Sequence, residues 1–129
     1  MRTERDFLGE VNLPDEALYG VQTYRATQNF PISGITAHAV FIRSMALVKK
    51  AAATANLEAG TLEEPVARAI LQAVDEVLDG THDEQFVVDV YQAGAGTSFH
   101  MNMNEVLANR AAELLGGRRG DTSRVHPND

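Results

Sequence analysis

The chain has 129 residues, enough for one domain with a modest core. Its net charge of −7, from 11 basic and 18 acidic residues, argues against a nucleic-acid partner, since no basic run is longer than a pair such as Arg118-Arg119. The absence of cysteine excludes disulfides and thiol chemistry and fits a cytoplasmic protein.

The N-terminus, Met1-Arg2-Thr3-Glu4-Arg5-Asp6, is charged and lacks an apolar signal core. No stretch approaches the roughly 20 apolar residues of a membrane span. Residues 1–35 read as irregular with short extended pieces, because Gly9, Pro14, Gly20, Pro31 and Gly34 interrupt any helix. Within them, residues 6–14 suggest a small hairpin or a clamp over another surface. A stretch this long without regular structure is uncommon unless it serves function or an interface.

From about Thr36 the pattern is helical. Val40, Phe41, Ser44, Leu47, Val48, Ala51 and Ala55 recur every three to four residues, and Gly60 is the stop. The alanines of this helix allow either close helix approach or simply high helix propensity. Thr61 and Glu64, at capping-box spacing with Pro65 behind, predict a second helix ending at Gly80. Val66, Ile70, Val74 and Val77 form its apolar face. Residues 85–91 form a short apolar run, either extended or a buried turn. A third helix is expected to start between Asn102 and Asn104, with Asn102 and Glu105 as a capping box and Gly116-Gly117 as the end. The tail, residues 118–129, reads as polar loop. The expectation is a mainly α chain with about three principal helices and short extended N-terminal pieces.

The run Gly94-Ala95-Gly96-Thr97-Ser98 directly precedes the third helix. Backbone N–H groups and hydroxyls there would hold a carboxylate, helped by the helix dipole. The plain alternative is a flexible turn with a hydroxyl cap. It is neither a P-loop, lacking Gly-Lys-Thr, nor a dinucleotide fingerprint, lacking the third glycine. His82-Asp83-Glu84 has spacing that makes the three groups diverge on a helix, so a solvated loop is favoured over a metal site. His38 and His100 stand alone. His126-Pro127-Asn128-Asp129 puts donors and acceptors around a fixed turn. Arg25 has the fork geometry that grips a carboxylate with two bonds, or is a surface arginine.

Several of these segments together resemble the aspartase/fumarase superfamily. They are Tyr19–Gly34, Val48–Ala53, Asp75–Leu78, Gly94–Ser98 with Met101–Asn109, and His126–Asp129, in the family's order. Tyr-Gly-Val-Gln-Thr and Gly-Ala-Gly-Thr-Ser are the wording of the ammonia-lyase branch that acts on aspartate. Ala95 stands where fumarases usually carry a substrate-contacting serine. His126-Pro127-Asn128-Asp129 is a phrase more usual in fumarases.

The resemblance implies the N-terminal domain of the fumarase/aspartase fold as a single domain over residues 1–129. It implies a reversible elimination from a small dicarboxylate, giving fumarate and ammonia, or fumarate and water in the fumarase alternative. Thr97 is then the main substrate contact, with Gly96 and Ser98 adjoining and Arg25 and Asn102 as further candidates. His126, Asn128 and Asp129 match a secondary anion site. No cofactor is needed for the chemical step and no residue is assigned to metal, although some members respond to a divalent metal. The family's catalytic serine loop, lysine and bundle helices lie after the position matching Asp129, and its active sites combine three subunits of a homotetramer. No catalytic residue is therefore assigned within this chain. The chain alone is expected to lack turnover, and to expose apolar surface. A non-catalytic helical interaction module is the reading from a different class.

Overall fold

The first regular element is a hairpin in which β1 (Arg2–Asp6) pairs antiparallel with β2 (Gly9–Leu13), Arg2 opposite Leu13 and Asp6 opposite Gly9. The structure, a computed structural model, describes all 129 residues. The hairpin expected around residues 6–14 is thus real, but it starts at Arg2 and turns at Phe7-Leu8. Gly9, at φ 122°, permits that turn. Arg2 ties the hairpin to residues 14–19 by donating to the carbonyls of Pro14, Ala17 and Tyr19 while pairing with Glu4.

Four helices complete the chain. They are α1 (Val21–Asn29), α2 (Ala39–Glu58), α3 (Glu64–Leu78) and α4 (Thr97–Leu114), with a single 3-10 turn at Asp83–Gln85. The three long ones are those expected. Helix α1 falls in the segment read as irregular, where Gly20 and Pro31 flank it instead of breaking it. It has no side-chain cap of its own. Helix α4 starts at Thr97, five residues or more before the expected position.

Both capping boxes are corrected. The N-cap of α3 is Glu63, and the Thr61 hydroxyl donates back to the Asn56 carbonyl. Asn102 and Glu105 lie inside α4 and are buried. His38 instead caps α2, its Nδ1 accepting from the Val40 N–H at 3.1 Å.

The core forms where α2, α3 and α4 meet. Ile42 and Ala46 pack with Ala73, Val74 and Val77 and with Phe99, Met103, Val106 and Leu107. Alanines make the close approach possible: Ala46, Ala67 and Ala73 are fully buried. The apolar residues whose spacing marked α2 lie largely on its exposed side. Val40, Leu47 and Val48 are 62%, 56% and 62% exposed, whereas Ile42, Ala46 and Ala53 turn inward. Helix α2 is apolar on both sides, so periodicity alone had no polar face with which to orient it. Val125 pins the tail beneath α4 among Ala69, Ala108 and Ala111. No helix is long and apolar enough to cross a membrane.

Residues 85–91 form the end of the 3-10 turn and one isolated bridge, Thr36 to Asp89. Asp89 holds the loop before α2, accepting from Ser33 N–H and hydroxyl, Gly34 N–H and its own neighbour Tyr91 N–H. The Tyr91 N–H bond, with those from Ser33 and Gly34, outweighs burial and lowers its pKa from 3.8 to about 2. A depressed carboxylate pKa stabilises the fold above the unfolded value and loses that stabilisation as pH falls through the folded value. Wild-type thermal stability is therefore expected to fall between about pH 4 and pH 2, and Asp89→Asn to flatten that part of the curve. Melting temperatures of the two proteins across that range check it. An unchanged slope in the variant would remove Asp89 as a cause.

Candidate functional site

Helix α4 opens on Gly96 in the left-handed conformation, φ 75° and ψ 12°, a geometry that glycine adopts without strain. Gly96 itself offers no side chain to cap the helix. The first N–H groups of a helix have no partner within it. Gln92 Oε1 takes the Phe99 N–H at 2.9 Å. The N–H groups of Thr97 and Ser98 have no acceptor within the chain. Thr97 is exposed, so its hydroxyl and both N–H groups gather at the positive end of an 18-residue helix dipole.

Thr97 lines a cleft of ≈ 600 Å³ together with Arg5, Gln22, His126 and Asn128. The helix start and the tail motif, far apart in sequence, therefore share one opening. The tail turn closes on itself. His126 Nδ1 accepts from Asn128 N–H, and the Asp129 carboxylate accepts from His126 N–H. With Nδ1 occupied, the neutral imidazole carries its proton on Nε2. Asp129 does not line this cleft. It lines a neighbouring one of ≈ 320 Å³, together with Lys49 and His100. There Lys49 donates to His100 Nδ1 at 3.1 Å, and burial together with the Lys49 charge lowers the His100 pKa, disfavouring the charged ring.

Three carboxylates, Glu4, Asp6 and Glu105, also border the larger cleft. Each is already engaged: Glu4 with Arg2, Asp6 with Arg25, and Glu105 with the start of α1. Their charges are matched or bonded, so an anion entering beside Thr97 meets no bare carboxylate.

The remaining candidates sit elsewhere. Arg25 makes the two-pronged grip expected of it, but on Asp6 of the hairpin, at 2.8 and 2.7 Å. That hydrogen-bonded pair lowers the Asp6 pKa. Asn102 is fully buried, its Oδ1 accepting from Val87 N–H and its Nδ2 donating to the Gln85 carbonyl. It braces the 85–87 segment and does not face the cleft. Ser98 is half-buried beside Thr97, and Gly96 shapes the turn. No group of three or more His, Asp or Glu is arranged to hold a metal, and His82 binds Glu76 instead. Arg5, Gln22 and Glu105 were missed by sequence reasoning. Arg5 and Gln22 carried no local signal, and Glu105 was read as a capping partner for Asn102.

Comparison with known proteins matches residues 9–129 to a family model described as Lyase. The chain belongs to this fumarate lyase family. It is 53% identical over 128 residues to an aspartate ammonia-lyase from Bacillus sp, covering 99% of this chain and 27% of that protein. It is 57% identical over 128 residues to a class II fumarate hydratase from Halobacterium salinarum, with the same coverage. A crystal structure titled fumarate lyase:delta crystallin from Brucella melitensis matches with TM-score 0.96 and 52% identity, over 100% of this chain and 30% of that one. The chain thus spans a little over a quarter of the length of these curated relatives. Within the fumarate lyase family, the relatives divide between ammonia-lyases and hydratases, and overall identity does not separate them.

Proposed function

We propose that this chain supplies a carboxylate-holding wall of a fumarate-forming lyase site, with L-aspartate as the substrate and ammonia as the leaving group. The observation that carries the reading is the free N-terminus of α4: Thr97 is exposed, its N–H and that of Ser98 are unengaged, and Thr97 fronts a cleft shared with His126 and Asn128. In such an elimination a base takes the proton from the carbon beside one carboxylate. The electron pair moves into that carboxylate, which becomes a doubly charged aci form, and then forms the double bond as the amine leaves. Fixed donors around the developing charge lower the barrier more than donors that must reorganise. The Thr97 hydroxyl, the Thr97 and Ser98 N–H groups and the α4 dipole suit that task. Gly96, without a side chain, lets the substrate approach the backbone closely.

Ala95 favours the amine substrate over malate, because it offers no hydroxyl where fumarases place a serine. Hydration of fumarate is the second reading. It is favoured by the His126-Pro127-Asn128-Asp129 turn and by the 57% identical hydratase. The assay is direct: the natural-length protein receives L-aspartate and L-malate in parallel, and fumarate is followed by its ultraviolet absorbance. Fumarate from aspartate is expected. Fumarate from malate alone would transfer the assignment to the hydratase, and fumarate from neither would reject the elimination. Ala95→Ser is expected to raise the malate-to-aspartate rate ratio. An unchanged ratio would show that this position does not set the leaving group.

A further inference from the structure

Thr97, Met101, Glu105 and Asn109 succeed one another at four-residue spacing down a single face of α4, and all four border the cleft. The upper rung, Thr97, is exposed. The two lower rungs are buried polar residues, Glu105 at 4% and Asn109 at 7% exposure. Buried polar groups are costly unless bonded, and these are bonded at both ends. Glu105 accepts from Thr23 N–H at 2.8 Å, from the Thr23 hydroxyl at 2.6 Å and from Gln22 N–H at 3.1 Å. Asn109 donates to the Leu18 carbonyl at 2.6 Å and accepts from Gly120 N–H at 2.8 Å.

These bonds reach the two other backbone segments that frame the cleft. Glu105 holds the first turn of α1, which carries Gln22. Asn109 holds Leu18 and the start of the tail that carries His126 and Asn128. Helix α1 has no cap of its own, so the Glu105 carboxylate caps it from another helix. Position 20 reveals how closely the parts fit: a Cβ on Gly20 would lie 2.3 Å from Glu105 Oε2. Burial pushes the Glu105 carboxyl up, while the Thr23 and Gln22 bonds pull it down. Apolar contact is non-directional and tolerates sliding between segments, whereas this set of bonds has one register.

We propose that Glu105 and Asn109 are positioning residues, which hold the Gln22 and His126 walls at a fixed distance from Thr97. The role rests on the cleft being the substrate site. The test uses the natural-length protein. Glu105→Gln keeps the shape but turns an amide NH2 toward a backbone donor. It is expected to lower kcat/KM by about 10- to 100-fold, the scale of a misplacement near 1 Å. A control, Val77→Ala, lies in the core away from the cleft. It is expected to lose melting temperature yet keep wild-type kcat/KM. Gly20→Ala is expected to lose activity like Glu105→Gln. Glu105→Asp in the Gly20→Ala background is expected to recover part of it, since the shorter carboxylate clears the added methyl. If Glu105→Gln loses only melting temperature, with kcat/KM unchanged as in the control, the positioning role is overturned and the lyase reading stands. If the wild-type protein turns over neither dicarboxylate, the lyase reading fails and the role fails with it.

Discussion

Replacing Thr97 with valine in the natural-length protein is expected to cut kcat/KM for the dicarboxylate by about 10²- to 10³-fold, the usual loss for one donor to a developing oxyanion. The fold should not notice the change. Thr97 is exposed at the first turn of α4, and its hydroxyl has no partner within the chain. Surface substitutions of that kind shift stability by no more than about 0.5 kcal/mol. Valine has nearly the same shape, so the change removes one O–H group and little else. Steady-state kinetics beside a thermal melt separates the two effects. Wild-type kinetics in Thr97→Val would leave the α4 terminus as an ordinary helix start and remove Thr97 from the substrate site.

Asn102→Ala is expected to do the reverse, unfolding the protein more readily for a reason unrelated to substrate. The side chain is fully buried, and both ends of its amide bond backbone groups, Val87 N–H at 3.1 Å and the Gln85 carbonyl at 3.0 Å. Alanine strands both groups out of water, which costs about 2–4 kcal/mol together with the cavity left behind. Denaturant unfolding of the variant checks the size. A loss of activity without a loss of stability would return Asn102 to the substrate site that sequence reasoning gave it.

The two residues differ in how much of their role was legible in the sequence. For Thr97 the glycine-rich run marked a loop ahead of a helix, but that helix was expected five or more residues later than it starts, and the substrate role came from the resemblance alone. The His126 turn was legible for a local reason. That the two share a cleft was not, because it depends on the tail folding back beneath α4 around Val125. Asn102 and Glu105 looked like a cap because three-residue spacing is the same at a helix start and within a helix. Their true partners are 15 to 83 positions away in the chain. Arg25 displayed the right chemistry, and its carboxylate proved to be Asp6. Helix α1 was hidden because its cap comes from α4 and no local cap exists to be read. The three long helices were legible from spacing and glycine stops. The orientation of α2 was not, since a helix apolar on both sides gives periodicity no contrast.

In the proposed site the start of α4 holds a substrate carboxylate. The most direct measurement is a crystal structure of the natural-length protein with succinate, a dicarboxylate that cannot eliminate. One succinate carboxylate is expected within hydrogen-bond distance of the Thr97 hydroxyl and of the Thr97 and Ser98 N–H groups, inside the cleft that His126 borders. Succinate bound elsewhere, with those three donors facing only water, would contradict it.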